Sequence, residues 1–306
     1  MKVLVATEKP FAAVAVNSIR QVVEEAGFTF ELLEKYAAKS ELLAAVADAD
    51  ALIVRSDKVD AEVIAAGKSL KVIVRAGAGY DNIDLAAATA AGICVENTPG
   101  QNSNAVAELV FGMAVMAARN MYDGTSGAEL KDKKLGIHAF GQVGRNVARI
   151  AKGFGMEVSA LDPFCPDEVM LQAGVKPVHS IEELYGGNNY VSIHIPATPE
   201  TRGSIGYELI SAMPKGSVLI NTARKEVIDE DGLRKALEMR PDLKYVADIK
   251  PDNAPELADA FGGRVFFTPK KMGAQTSEAN INAGIAAARQ SVAFLKDGTD
   301  TYRVNK

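Results

Sequence analysis

The sequence predicts an α/β protein of two domains. Short β-branched runs alternate with alanine-rich stretches almost from end to end, the pattern of parallel sheets covered by helices. The length, 306 residues, suits two compact domains of about 150 residues each. Near the middle, one strand runs into a glycine turn that opens a helix.

In chain order, VLVA (3–6), a helix over 14–26 stopped by Gly27, then FTFELL (28–33), ALIVRS (51–56), LKVIVRA (70–76) and ICVEN (93–97) read as one five-strand set. A long apolar helix over 105–119 and a loop over 122–127 separate it from a second set. That set comprises KLGIHAF (134–140), EVSALD (157–162), VKPV (175–178), YVSIHIP (190–196), SVLINT (217–222), KYVADI (244–249) and RVFFTP (264–269). A last helix over 276–296 comes too late for the second sheet, and we expect it to pack on the first domain. The expected division is residues 1–100, completed by 280–306, and residues 101–279. Two crossings between domains make a natural hinge.

Composition narrows the function. Hydrophobic residues at 48% and charged residues at 24% are globular values, and a net charge of −5 argues against a sequence-independent grip on nucleic acid or on an anionic membrane. The start has no apolar leader, and the longest apolar run, 109–118, falls short of the roughly 20 residues that span a bilayer. Cys94 and Cys165 stand apart from any CxxC spacing, so neither a disulfide framework nor a zinc site is expected, and a reduced, cytoplasmic setting is. His138, His179 and His194 show no metal-ligand spacing, so no metal is expected.

The most informative stretch is KLGIHAFGQVGRNVARIAKGFGMEVSALDP (134–163), in which strand, glycine turn, helix, strand and terminal acid follow in order. It reads as a dinucleotide-binding unit. Gly141 allows close approach of a pyrophosphate, Gly144 lets the helix pack on its strand, and the helix start at Gln142 and Val143 receives the phosphates. Ala139 takes the place of the first glycine. Asp162, ending the second strand, can accept both ribose hydroxyls and would repel a 2′-phosphate, so the expected cofactor is NAD.

These residues, together with VRS (54–56), LKVIVRAGAGYDNIDL (70–85), NTPGQNSNAVAEL (97–109), HIPATPETRG (194–203), MPKGSVLINTAR (213–224) and VAD (246–248), resemble the D-isomer-specific 2-hydroxyacid dehydrogenases, most closely those acting on 3-phosphoglycerate. The resemblance covers nearly the whole chain. It implies a flavodoxin-like substrate domain beside a doubly wound NAD domain, both Rossmann-like, and NAD-dependent oxidation of a phosphorylated 2-hydroxy acid at the entry to serine synthesis. By position, Arg55, Ser56, Arg75, Gly77 and Asn102 would bind substrate. Ala78, His194, Pro196, Thr222, Ala223, Asp248 and Gly273 would join the glycine turn and Asp162 in binding cofactor. Arg224 would clamp the substrate carboxylate next to the nicotinamide. A homodimer is implied, with the helix over 105–118 contributing to its interface, and no C-terminal regulatory domain is expected.

The family pattern breaks in two places. Where the family's acid/base histidine stands in TPHxGG, this chain reads TPKKMG, with Lys270 at the histidine's position. The histidine's helper glutamate falls by register on Asn253, or on Asp252 with a one-residue shift. The changes are mutually consistent: a glutamate would hold a lysine protonated, whereas a neutral Asn253 leaves Lys270 freer to act as base beside Arg224 and Lys271. The alternatives are a hydroxypyruvate or glyoxylate reductase, and a non-catalytic NAD-binding relative.

Overall fold

The structure, a computed structural model, describes residues 1–305 and divides into two compact units, one of Met1–Asn102 with Gln275–Lys306 and one of Ser103–Ala274.

The first unit alternates β1 (Lys2–Thr7), α1 (Ala13–Glu25), β2 (Thr29–Glu34), α2 (Lys39–Val46), β3 (Ala51–Val54), α3 (Ala61–Ala66), β4 (Val72–Arg75), α4 (Leu85–Ala90) and β5 (Cys94–Asn97). The strands pair in parallel in the order β2-β1-β3-β4-β5. Every residue of ALIV in β3 is buried, as a strand covered by helices on both faces requires. Asp60 and Asp84 start α3 and α4 by accepting the Val63 and Ala87 N–H groups. The C-terminal segment covers the β5 edge: the Val304 N–H donates to the Val95 carbonyl at 2.8 Å, and Asn305 Oδ1 accepts the Val95 N–H at 2.7 Å.

The second unit contains α5 (Ser103–Ala118), β6 (Lys134–His138), α6 (Gln142–Gly153), β7 (Glu157–Leu161), α7 (Asp167–Gln172), β8 (Lys176–Pro177), α8 (Ile181–Gly186), β9 (Tyr190–Ile193), α9 (Tyr207–Ala212), β10 (Val218–Asn221), α10 (Glu230–Met239), β11 (Lys244–Ala247), α11 (Ala254–Phe261) and β12 (Val265–Phe267). Its seven strands are all parallel, in the order β12-β11-β10-β9-β6-β7-β8. The stretch VKPV shrinks to a two-residue strand at the sheet edge, because Pro177 has no N–H for a ladder.

The chain then returns to the first unit as α12 (Ser277–Asp297), which begins with the Thr276 hydroxyl accepting the Ala279 N–H and ends at left-handed Gly298. It packs on α1, β3 and β4 through Ala283, Ala287, Ala288 and Leu295. An ideal Cβ at Gly284 would meet Ile19 at 2.7 Å, so the missing side chain is what lets α12 and α1 lie close. Among the described residues no helix is long and apolar enough to cross a membrane.

Each sheet reverses its direction of build-up once, between β1 and β3 in the first unit and between β6 and β9 in the second. In open parallel sheets ligands bind beyond the carboxyl ends of strands at such a reversal.

Candidate functional site

In the second unit, β6 leads into the turn Ala139–Phe140–Gly141. Ala139 sits at φ +84°, a left-handed conformation that a glycine adopts freely and an alanine under strain. An ideal Cβ at Gly144 would fall 2.3 Å from the Ala139 carbonyl oxygen, so only glycine lets α6 approach its strand this closely. At Gly141 the same test meets nothing within 4 Å, and no side chain caps α6. The first N–H groups of that helix are thus left for an anion. Asp162 holds the turn with one oxygen, accepting the Phe140 N–H at 2.8 Å, and its other oxygen accepts the Phe164 N–H at 2.9 Å.

Across the reversal the His194 N–H donates to the His138 carbonyl at 2.8 Å. Burial lowers the His138 imidazole to about 4 and that of His194 to about 3, so both are neutral at pH 7. His194 Nε2 meets the Ser192 hydroxyl at 2.9 Å. Pro196 follows, exposed.

At the end of β10 the Asn221 side chain accepts the Ala223 N–H and donates to the Arg224 carbonyl, both at 2.9 Å, fixing the turn through Thr222. Thr222 Oγ1 is buried without a partner. An orphaned hydroxyl beyond the strand ends, an uncapped helix start and a carboxylate beside the glycine turn together fit a dinucleotide. Arg224 is exposed, and one of its guanidinium nitrogens donates to the Ala223 carbonyl at 2.8 Å.

Asp248, the acid expected at the nicotinamide end, directly follows β11. It is 1% exposed, and its carboxylate accepts the Thr268 hydroxyl at 3.0 Å and the N–H groups of Met272 and Gly273 at 2.7 and 2.8 Å. Both oxygens are committed to the segment that carries Lys270. Gly273 is buried, with the position of its missing Cβ 3.0 Å from that carboxylate. Lys270 is exposed, and among the described residues no hydrogen bond joins it to Asn253, Asp252 or Arg224. Asn253 is half-buried with Oδ1 unpartnered, while Asp252 pairs with Lys225. Glu230 accepts the Asp252 and Asn253 N–H groups at 2.8 and 3.0 Å, holding that loop.

In the first unit, Arg55 and Arg75 stand at the carboxyl ends of adjacent strands, with Val54 opposite Arg75 in the register. Arg75 Nε donates to the Arg55 carbonyl at 2.9 Å, and Asn82 Nδ2 donates to the Asp57 carbonyl at 2.7 Å. Burial lowers the pKa of both guanidinium groups, and the like charge of Arg55 lowers that of Arg75 further. Neither forms an ion pair among the described residues. Gly77, at φ +152°, lies under the Arg75 guanidinium. Ser56 and Ala78 are exposed, the Ala78 carbonyl accepts Asn97 Nδ2 at 2.6 Å, and Asn102 is half-buried.

Sequence reasoning missed Asp57, Asn82, Glu230 and Asn280. Asp57 and Glu230 had local signals, an acid two residues after an arginine and an acid at a helix start. Asn280, whose side chain meets Arg55 from 225 positions away, had none.

The family model for the D-isomer specific 2-hydroxyacid dehydrogenase NAD-binding domain matches residues 104–267. The chain is 40% identical over 273 residues, 84% of its length, to D-3-phosphoglycerate dehydrogenase of Methanocaldococcus jannaschii, and it spans about half (52%) of that relative. It is 36% identical over 284 residues to hydroxypyruvate reductase of Thermotoga maritima, covering 86% of this chain and 89% of that one. The crystal structure of NAD+-bound 3-phosphoglycerate dehydrogenase of Entamoeba histolytica superposes with a TM-score of 0.85 at 49% identity, covering 100% of this chain and 99% of that one. The chain belongs to the D-isomer-specific 2-hydroxyacid dehydrogenases and carries that family's NAD-binding domain.

Proposed function

We propose that the protein oxidises 3-phosphoglycerate to 3-phosphohydroxypyruvate with NAD, the step that opens serine synthesis. One observation carries the choice of substrate: Arg55 and Arg75 sit together, half-buried and without a carboxylate partner among the described residues. Two like charges this close are destabilising unless a multiply charged anion joins them, and a phosphomonoester offers oxygens to both guanidinium forks. The similarity to two phosphoglycerate dehydrogenases supports the same reading.

Gln142 and Val143, at the uncapped start of α6, would hold the pyrophosphate, and Asp162 the ribose hydroxyls while repelling a 2′-phosphate. Bound NAD supplies the acceptor for the hydrogen and electron pair that leave C2. Arg224, exposed at the end of a rigid turn, pairs with the substrate carboxylate. Lys270 in its neutral form takes the hydroxyl proton onto Nζ. Arg55 and Arg75 anchor the phosphate, so binding energy remote from the reacting carbon positions it. Asp248 would stand at the nicotinamide end and also holds the loop that carries Lys270.

The second reading, a reductase for hydroxypyruvate, rests on the relative from Thermotoga, which this chain covers almost completely. Comparing kcat/KM for NADH formation from 3-phosphoglycerate and from D-glycerate separates the two. A preference of tenfold or more for the phosphorylated acid, lost in Arg55→Ala and Arg75→Ala, supports the first reading; equal rates support the second. We also propose a homodimer that uses the half-buried Leu109, Val115 and Met116 of α5, and a cytoplasmic setting in which the two free thiols stay reduced.

A further inference from the structure

We propose that Asn280 is a positioning residue for the anion site, a neutral acceptor that fixes the Arg55 guanidinium without cancelling its charge. The inference rests on the phosphate reading of Arg55 and Arg75. Arg55 Nη2 donates to Asn280 Oδ1 at 2.6 Å. Asn280 Nδ2 donates to the Thr276 carbonyl at 2.8 Å, so the amide can turn only its oxygen toward the arginine. Arg55 Nη1 lies 3.4 Å from the Lys9 and Pro10 carbonyl oxygens, and the guanidinium stands over the Phe11 ring, 5.0 Å from its centre. Arg75 donates to the Arg55 carbonyl.

Every one of these acceptors is uncharged. Two carboxylates lie within charge range of the pair: Asp81 acts on Arg75 without an ion pair among the described residues, and Asp57 faces elsewhere, accepting the Glu8 N–H, the Tyr36 hydroxyl and the backbone N–H of Arg55. A carboxylate at position 280 could instead take two parallel guanidinium bonds and neutralise the charge a phosphate needs. Asparagine gives nearly the same shape without that charge. The ligand this arrangement suits is a phosphomonoester dianion, because a monoanionic carboxylate has no use for a second unpaired guanidinium.

The test is the isosteric Asn280→Asp, which also suits the first turn of a helix and so favours folding. The measurement is the ratio of kcat/KM for 3-phosphoglycerate to that for D-glycerate, together with the inhibition constant of inorganic phosphate against 3-phosphoglycerate. General damage to the fold moves both rates and leaves their ratio alone. The expected result is a ratio lower by about tenfold or more, the scale of one hydrogen bond to a charged group, with phosphate inhibition weakened in parallel. Asn280→Ala, which loosens Arg55 but keeps its charge free, should fall between wild type and Asn280→Asp. An unchanged ratio in Asn280→Asp, when Arg55→Ala abolishes the preference, overturns the role of Asn280 and leaves the phosphate reading standing. An unchanged ratio in Arg55→Ala overturns both.

Discussion

Asp248 accepts the backbone N–H of Gly273 at 2.8 Å, and with the Met272 N–H at 2.7 Å this bond ties the end of β11 to the segment that presents Lys270. In Asp248→Asn one face of the amide becomes a donor, which sets it against a backbone N–H in a site closed to water. The loss is expected at about 1–3 kcal/mol in chemical unfolding, the cost of a buried donor left unmade. The kcat with 3-phosphoglycerate should fall as well, because the loop loses its anchor two residues from Lys270. Wild-type kcat in this variant would show that the loop is held by other contacts.

Gly77→Ala should weaken substrate binding without removing a charge. Its Cβ would fall 1.5 Å from Arg75 Nη1, and φ +152° is a conformation for glycine. The guanidinium must leave its place, so KM for 3-phosphoglycerate is expected to rise by about tenfold, as for loss of one charged hydrogen bond. An unchanged KM would mean that Arg75 binds nothing where it stands.

Ala139→Gly should stabilise the protein by about 1 kcal/mol, because relief of the left-handed strain at φ +84°, roughly 1–2 kcal/mol, outweighs the larger backbone entropy that glycine loses. Ala139→Val should cost more than that amount. Thermal unfolding of the two variants checks the ordering; NAD affinity should survive the first substitution.

Acid should destabilise the second unit before its carboxylates titrate. Burial lowers His138 from an ordinary 6.5 to about 4 and His194 to about 3. As pH falls below 6.5 the unfolded chain takes up protons at both rings and the folded chain does not. The stability due to neutral burial is therefore complete above pH 6.5 and lost progressively toward pH 4, at no more than about 1.4 kcal/mol per pH unit for each ring. Tm measured from pH 7 to 5 should fall, and His138→Gln should flatten the slope. A slope that His138→Gln leaves unchanged would assign the acid sensitivity to other groups.

What the sequence revealed follows the range of the interactions involved. The dinucleotide unit was legible because β6, the turn, α6, β7 and Asp162 lie within thirty residues and each element constrains the next. Both sheets were legible from runs such as ALIV and VLIN, buried along their whole length. The left-handed strain at Ala139 was not, since alanine carries no mark of positive φ. Nor were the partners of Asp248, because an acid at a strand end looks the same whether it meets a ligand or a loop 20 to 25 residues on. The contact between Arg55 and Asn280 joins the two ends of the chain, and only the return of α12 to the first unit brings it about.

The most direct test of the account is a single-turnover measurement of NADH formation from 3-phosphoglycerate and NAD, wild type beside Lys270→Met. The expected result is rapid NADH formation by the wild type and a rate lower by about 10² to 10⁴ in the variant, the span of general acid–base catalysis, with NAD binding retained. A fully active Lys270→Met would assign the proton to another group, and a wild type that forms no NADH with any 2-hydroxy acid would contradict the account outright.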